Sequence, residues 1–270
     1  MIYLFLAIVS SALISIFMRL SKTYTENEMA LLAVNYFICI LCSLFYIQDF
    51  TIYTSDYLGI ANGFFYWISF VLFQKNIQKN GLILSSTFQK LGILIPTLFT
   101  IFILKEYTSY IQLTGVMLSI LCIGLLQKSN EKQEIQSLLL LCFLLIFNGS
   151  ADAMAKIFER VGQNEDVYLC ITFVIAFILC SGSMIIQKTK IKKKEIVFGI
   201  LIGIPNYFSA RFLLKSLYSL PALIVYPSYS VFTILVVSFF GIFLFKEKIS
   251  KKHIWIWIGF LLSLVLLNVK

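Results

Sequence analysis

Gly81–Glu106 reads GLILSSTFQKLGILIPTLFTIFILKE, and 141 residues later Ala222–Glu247 reads ALIVYPSYSVFTILVVSFFGIFLFKE. The two stretches agree at 9 of 26 positions and close on the same Phe-x-Ile-Phe-x-x-Lys-Glu, with Lys105–Glu106 over Lys246–Glu247. Shared apolar composition gives scattered matches, but not a shared polar ending. Upstream, Tyr66 falls on Tyr207, and a one-residue adjustment sets Gly59-x-x-x-Gly63 on Gly199-x-x-x-Gly203. Small residues four apart let two helix backbones approach closely. The chain therefore reads as a duplication whose third-helix packing is repeated.

What the duplicated unit is follows from composition. The 270 residues are 60% hydrophobic and 13% charged, with a mean hydropathy of +0.91. A soluble domain carries roughly 25% charged residues, so this surface is built to face something other than water. Disordered, collagen-like, disulfide-scaffold and cytosolic-enzyme classes fall at this step. A bilayer-spanning helix needs about 20 mainly apolar residues. The uncharged runs predict ten such helices, near 2–20, 29–48, 57–75, 81–104, 109–127, 136–157, 167–187, 196–216, 220–245 and 253–269. Run length and the lack of short alternating segments favour helices over a membrane barrel. The first run is expected to be a span rather than a cleaved signal. A short polar tether, 127–135, separates two halves, 1–127 and 135–270.

Five helices per half is an odd number, so the second copy enters the membrane upside down. The expected fold class is an all-α integral membrane protein of ten transmembrane helices in two inverted five-helix repeats. Secondary transporters use this design because two related halves can rock about a site at the midplane.

Two stretches, IPTLFTIFILKEYTSYIQLTGVMLSILCIGLL and FTILVVSFFGIFLFKEKISKKHIWIWIGFLLSLVLL, carry a likeness to a known family. In each, a fourth helix ends on an acidic residue, Glu106 or Glu247, before a short polar turn and a fifth helix containing Gly115 or Gly259. The chain resembles the EamA-type drug/metabolite transporter superfamily over essentially its whole length. Pro96 stands where that family commonly has a proline; the second copy has Val237 there, and its proline is Pro227. The resemblance implies a transporter of amino acids, metabolites, sugars or nucleotide conjugates, without selecting among them.

An ionisable group inside hydrocarbon is costly and is a functional candidate by default. Four stand out: Lys90, Asp152, Lys156 and Arg211. At about 1.5 Å per residue, Lys90 lies about 13 Å into its helix, Asp152 about 24 Å and Arg211 about 23 Å. Lys90, with Gln89 beside it, is expected at a substrate cavity. Asp152 and Arg211 share a depth, which predicts an ion pair that is either structural or a gate. Asp152 also has Lys156 four residues on, and it is the one carboxylate placed to relay a proton. Asn148, Asn206, Tyr207 and Tyr226 are the further candidates for contacting substrate, with Asn62, Gln74 and Tyr66 behind them. Three basic groups against one acidic predict an electropositive cavity suited to a carboxylate or phosphate. Gly59, Gly63, Gly199 and Gly203 are expected to pack helices, and Glu106 and Glu247 to fix the turn into the next helix.

Odd-numbered loops carry fourteen lysines, while even-numbered loops and the C-terminus carry four basic residues. The positive-inside rule then sets the odd loops in the cytoplasm and both termini outside. The family resemblance implies the opposite orientation. The net charge of +9 belongs to headgroup-facing loops, so nucleic acid is not an expected partner. Cys39-x-x-Cys42 lies in an apolar run and reads as filler. With one histidine, His253, no metal is expected, and no cofactor. Nothing matches a nucleotide-binding loop, G-x-S-x-G or H-E-x-x-H, so an enzyme is not expected. The reading is a secondary transporter, an exporter or exchanger of small polar metabolites, anionic or amino-acid-like, that is multi-pass in a bacterial inner (plasma) membrane. Its expected partners are a small-molecule substrate and the lipid bilayer, with a homo-oligomer left open. A lipid-carrier flippase or accessory membrane subunit is the alternative.

Overall fold

The computed structural model describes residues 1–96, 109–129, 135–220, 222–247 and 251–266, and every regular element among them is helical. α1 is Ile2–Tyr24 and α2 is Glu28–Tyr46. A short 3₁₀ turn, Thr54–Tyr57, leads into α3 (58–80), and α4 is Leu82–Pro96. Then come α5 (Tyr110–Ser129), α6 (Ile135–Val161), α7 (Glu165–Ile186), α8 (Lys193–Ser219), α9 (Ala222–Phe243) and α10 (Lys251–Leu266). Among the described residues, six helices are long and apolar enough to cross a membrane: α1, α2, Thr54–Asn80, Leu138–Val161, α7 and α8. Leu82–Pro96, Ser228–Phe243 and Ile254–Ser263 are shorter apolar helices.

The starts of α2 and α7 share a device. Asn27 accepts hydrogen bonds from the Met29 and Ala30 amides, and Asn164 accepts from Val167, so each asparagine caps its helix. Glu28 and Glu165 follow at once, where a negative charge favours the helix N-terminus. The α3–α4 junction departs from expectation. The sequence predicts a loop between 75 and 81, yet α3 runs on to Asn80 and the chain turns on Gly81 alone, at φ +79°. That backbone region is open to glycine and strained for a residue with a Cβ.

Among the described residues, the broadest contacts join one sequence half to the other. α1 lies on α8 and α9, α6 on α3, α2 on α7 and α8, α3 on α7, and α5 on α10. The glycine seams are the tightest. A Cβ at Gly63 would stand 2.5 Å from the Thr172 carbonyl and 2.7 Å from the Ile175 Cβ. One at Gly203 would stand 2.7 Å from the Asn35 carbonyl and 2.8 Å from the Ile38 Cβ. Gly59 meets Tyr168 and Ile171, and Gly199 meets Val34 and Asn35. The Cys39 thiol sits in the second seam and donates to the Gly203 carbonyl. α4 and α6 cross at another glycine pair, Gly92 and Gly149.

Polarity is inverted relative to a soluble bundle. Phe37, Leu41, Ile178, Ile185, Phe232 and Phe239 are exposed, while Asn35, Asn62, Gln74, Asn76, Lys90 and Asn206 are buried. Loop contacts sort the helix ends. Lys192 pairs with Glu26, and the Glu195 carboxylate accepts from the Glu26 and Asn27 amides, so the α1–α2 and α7–α8 loops share one end of the bundle. At the opposite end, Asn164 donates to the Asp49 and Thr51 carbonyls.

The seams make a direct prediction. Gly63→Ala forces a methyl against a carbonyl at 2.5 Å and lowers stability by about 1–3 kcal/mol. Gly182→Ala, which meets nothing within 4 Å, does not. Equal thermal midpoints for the two variants in detergent would contradict the seam.

Candidate functional site

Six helices, α1, α3, α4, α6, α8 and α9, surround a cavity of about 40 Å³. Its walls come in matched sets. Tyr66, Ser69 and Phe70 of α3 face Asn206, Ser209 and Ala210 of α8, each set at i, i+3, i+4 and offset by 140 residues. Ser11 and Ile14 of α1 face Asn148 and Ala151 of α6, offset by 137. The i, i+3, i+4 spacing is what lets one helix face supply several wall positions. Tyr66 and Asn206 stand one turn beyond Gly63 and Gly203, so the backbone seams fix the level of the cavity. Gln89, Lys90, Asp152, Leu213 and Tyr229 complete the lining.

Lys90 is buried on α4, and its ammonium lies 3.8 Å from the centroid of the Tyr229 ring. The Tyr229 hydroxyl is 3.0 Å from Ser209, which fixes the ring from α8. A cation over an aromatic face gains up to about 2 kcal/mol when desolvated. Asp152, one turn along α6 from Asn148, accepts from the Asn148 amide at 3.2 Å. The same amide donates to the Gln89 carbonyl at 3.0 Å, tying α6 to α4. Tyr226 is not part of the lining; its hydroxyl donates to the Asp152 carbonyl at 3.1 Å. Lys90 and Asp152 therefore line one cavity, and the ion pairs among the described residues do not include one between them. Lining one cavity, the two groups share a level that depths of about 13 and 24 Å along their own helices do not convey. The 27 residues of α6 span about 40 Å, more than the roughly 30 Å of hydrocarbon.

The expected Asp152–Arg211 pair does not form. Arg211 binds Asp166 in the first turn of α7, its other guanidinium nitrogen lies 3.4 Å from that carboxylate, and it donates to the Tyr207 hydroxyl at 2.6 Å. The guanidinium also lies 4.1 Å over the Tyr46 ring. Beside it, Lys215 stands 3.8 Å from Glu165. Asp166 escapes a sequence reading because it counts as an interfacial loop residue; the N-terminus of α7 carries it inward to Arg211. Lys156 turns away from Asp152 to Glu159, at 2.7 Å on its own helix. Tyr207 is fully buried against Tyr46 and Arg211 and does not line the cavity. Asn206 does line it, while its amide donates to Asn35 at 3.2 Å. With Arg211 and Lys156 engaged elsewhere, the cavity holds one cation and one anion among the described residues, against the electropositive expectation.

The Glu247 side chain reaches back to the α3–α4 junction, where it accepts from the Leu82 amide at 2.6 Å and the Ile83 amide at 3.1 Å, while the turn it is expected to fix runs into residues outside the described ones. Glu106 lies outside the described residues. Ser209 and Ser11 carry no charge and are visible in sequence only through the repeat offsets; Tyr229 belongs to neither matched set. Among the described residues no three His, Cys, Asp or Glu side chains converge as a metal site would require.

No family model matches the chain. A curated protein from Haemophilus influenzae, described as uncharacterized, is 24% identical over 277 residues, covering 97% of this chain and 94% of its own. A protein of known crystal structure, 12% identical, superposes with a TM-score of 0.67 over 99% of this chain and 98% of its own. At that identity the likeness shows a shared fold from end to end.

The reassigned pairing is testable. A double-mutant cycle of Asp166→Asn and Arg211→Gln gives a coupling of about 0.5–3 kcal/mol in unfolding, whereas Asp152→Asn and Arg211→Gln add to within about 0.5 kcal/mol. Coupling in the second cycle alone would reinstate the Asp152–Arg211 pair.

Proposed function

We propose that this chain is a secondary transporter of ten membrane helices in two inverted repeats, 1–127 and 135–270, similar to EamA-type drug/metabolite transporters. It exports or exchanges a small polar metabolite across a bacterial inner membrane by alternating access. The observation that carries this is the cavity itself: corresponding positions of both halves line it, and it holds a buried lysine and a carboxylate that do not pair. The helix contacts support the repeat. Advancing each helix number by five turns α2–α8 into α7–α3, α1–α8 into α6–α3, and α1–α9 into α6–α4, all of which touch.

The charge balance narrows the substrate. One ammonium over the Tyr229 ring and one carboxylate bound by the Asn148 amide suit a molecule with both signs of charge, so the amino-acid-like reading is preferred to a simple anion. Ligand pockets run to about 300–1,000 Å³. A cavity of about 40 Å³ is therefore the closed state of the cycle, with access gained as the halves rock. Asp152 is the one carboxylate in the lining and is assigned the exchange of a proton with substrate.

The test compares metabolites inside and outside cells expressing the wild type, Lys90→Ala and Asp152→Asn. Export of at least one zwitterionic metabolite falls by about tenfold or more in Lys90→Ala, the equivalent of about 1.4 kcal/mol of lost interaction with the ligand charge. Asp152→Asn removes the dependence of that export on the pH gradient. Indifference of every small molecule to the wild-type protein would overturn the reading in favour of a lipid flippase or accessory subunit.

The fourteen lysines of the odd-numbered loops assign that end to the cytoplasm. A C-terminal reporter that works only outside the cytoplasm is the expected result, and a cytoplasmic signal alone would reverse the assignment.

A further inference from the structure

The α4 helix that carries Lys90 begins without a loop, and its first amides need an acceptor. A helix leaves its first four N–H groups without intrahelical partners, and burying them bare is costly. Here the acceptor comes from the far half of the chain. Both oxygens of Glu247, just beyond α9, bind the Leu82 and Ile83 amides. Two glycines make room for it. A Cβ on Gly81 would meet Glu247 Oε1 at 3.1 Å, and one on Gly241 would meet Ile83 at 2.5 Å. Arg19 of α1 stands 3.9 Å from the same carboxylate. Three helices thus meet at one group, about 12 Å along α4 from Lys90 by helix rise.

The cavity has a different closure on its other side. There Arg211 of α8 holds Asp166 of α7, with Tyr46 and Tyr207 packed on the guanidinium. Both charges of that closure belong to the second half, so it can persist when the halves separate. The Glu247 contacts join α9 to α1 and α4, and cannot.

We propose that Glu247 is a positioning residue and the latch at the odd-loop end of the cavity. Bound to Leu82 and Ile83, it holds α4 against α9 and keeps Lys90 sealed from that end. Its release lets water reach the freed amides and opens the cavity there. In the open state water replaces the carboxylate on these amides, so opening forfeits only the net worth of the two charge-assisted bonds, about tenfold in the balance between closed and open. This rests on the transporter reading, since it assigns a direction to one step of that cycle.

The experiment is sided labelling of a cavity cysteine, Ser69→Cys, with a charged, membrane-impermeant thiol reagent. Vesicles of both orientations are used, and the parent protein with its own six cysteines is the background. Adding Glu247→Ala speeds labelling from the odd-loop end by about tenfold, the shift expected from removing hydrogen bonds to a charged group, and leaves the other end unchanged. Glu247→Gln, which keeps one acceptor oxygen, falls between Glu247→Ala and wild type. If Glu247→Ala does not accumulate, the Gln variant decides on the same reading. Unchanged labelling, or equal acceleration from both ends as general loosening would give, overturns the latch. Labelling needs no substrate, so one-sided acceleration without metabolite export would sink the transporter reading and keep the latch. Export with symmetric labelling would do the reverse.

Discussion

Backbone-to-backbone contact at Gly63–Thr172 and Gly203–Asn35 is the constraint from which the remaining packing follows. Lipid tails are as apolar as leucine, so burying apolar surface gives helices in a bilayer little reason to associate. Close dispersion contact and hydrogen bonds must supply the attraction, and both need backbones to come near. Glycine is the only residue that fits where a Cβ would lie 2.5–2.7 Å from a carbonyl oxygen. With α3 set on α7 and α8 on α2, the residues one turn further along, Tyr66 and Asn206, face each other across the cavity. Packing and site are therefore linked through a single helical turn.

The same geometry explains which charges are satisfied. Buried Arg211 has Asp166, and Lys215, Lys156, Lys22 and Lys192 each have a carboxylate at hand toward the ends of their helices. Near water such pairs contribute modestly and cost little. Lys90 is different. Its ammonium lies over the Tyr229 ring, and Asp152 of the same cavity accepts from the Asn148 amide. Two buried charges of opposite sign that line one cavity without a direct salt bridge cost more than apolar residues of similar shape would. Under the transporter reading, that cost is offset when a ligand bridges them.

Much of the arrangement was legible in the sequence because it was written in periodic features. Run length predicted the helices, and the Gly-x-x-x-Gly pairs predicted the seams, since spacing along one helix needs no knowledge of its neighbour. The α3–α4 junction was not legible: Lys75 and Lys79 suggested a loop, whereas a positive φ at Gly81 removes one. Partner choice was not legible either. Equal depth along two helices cannot reveal which faces they present, so Asp152 and Arg211 looked like a pair while rotation about α8 turned Arg211 toward α7. The sequence sets Glu247 at the end of the ninth helix, whereas α9 stops at Phe243, and the acceptor role of Glu247 depends on amides 164 and 165 residues earlier. Tyr229 and Ser209, uncharged and in apolar runs, acquire meaning only when α8 and α9 meet over Lys90.

Under the transporter reading, the volume a metabolite needs has to come from motion, and the contacts limit where that motion lies. The glycine seams hold α3 on α7 and α8 on α2 at backbone distance, with no long side chains to unlock. A seam of that kind stays in contact while two rigid bodies rotate about it, much as small-residue interfaces allow helices to shift as units. α4 and α6 likewise meet at backbone distance, through Gly92 and Gly149, whereas α9 is joined to α4 and α6 by discrete hydrogen bonds: Glu247 to α4, Tyr226 to the Asp152 carbonyl. Hydrogen bonds can be exchanged for water at small net cost, whereas a backbone seam opened in lipid has no substitute partner. On that reading the contacts at Gly63, Gly203 and Gly92–Gly149 are the last to open, and the hydrogen bonds of Glu247 and Tyr226 are the first.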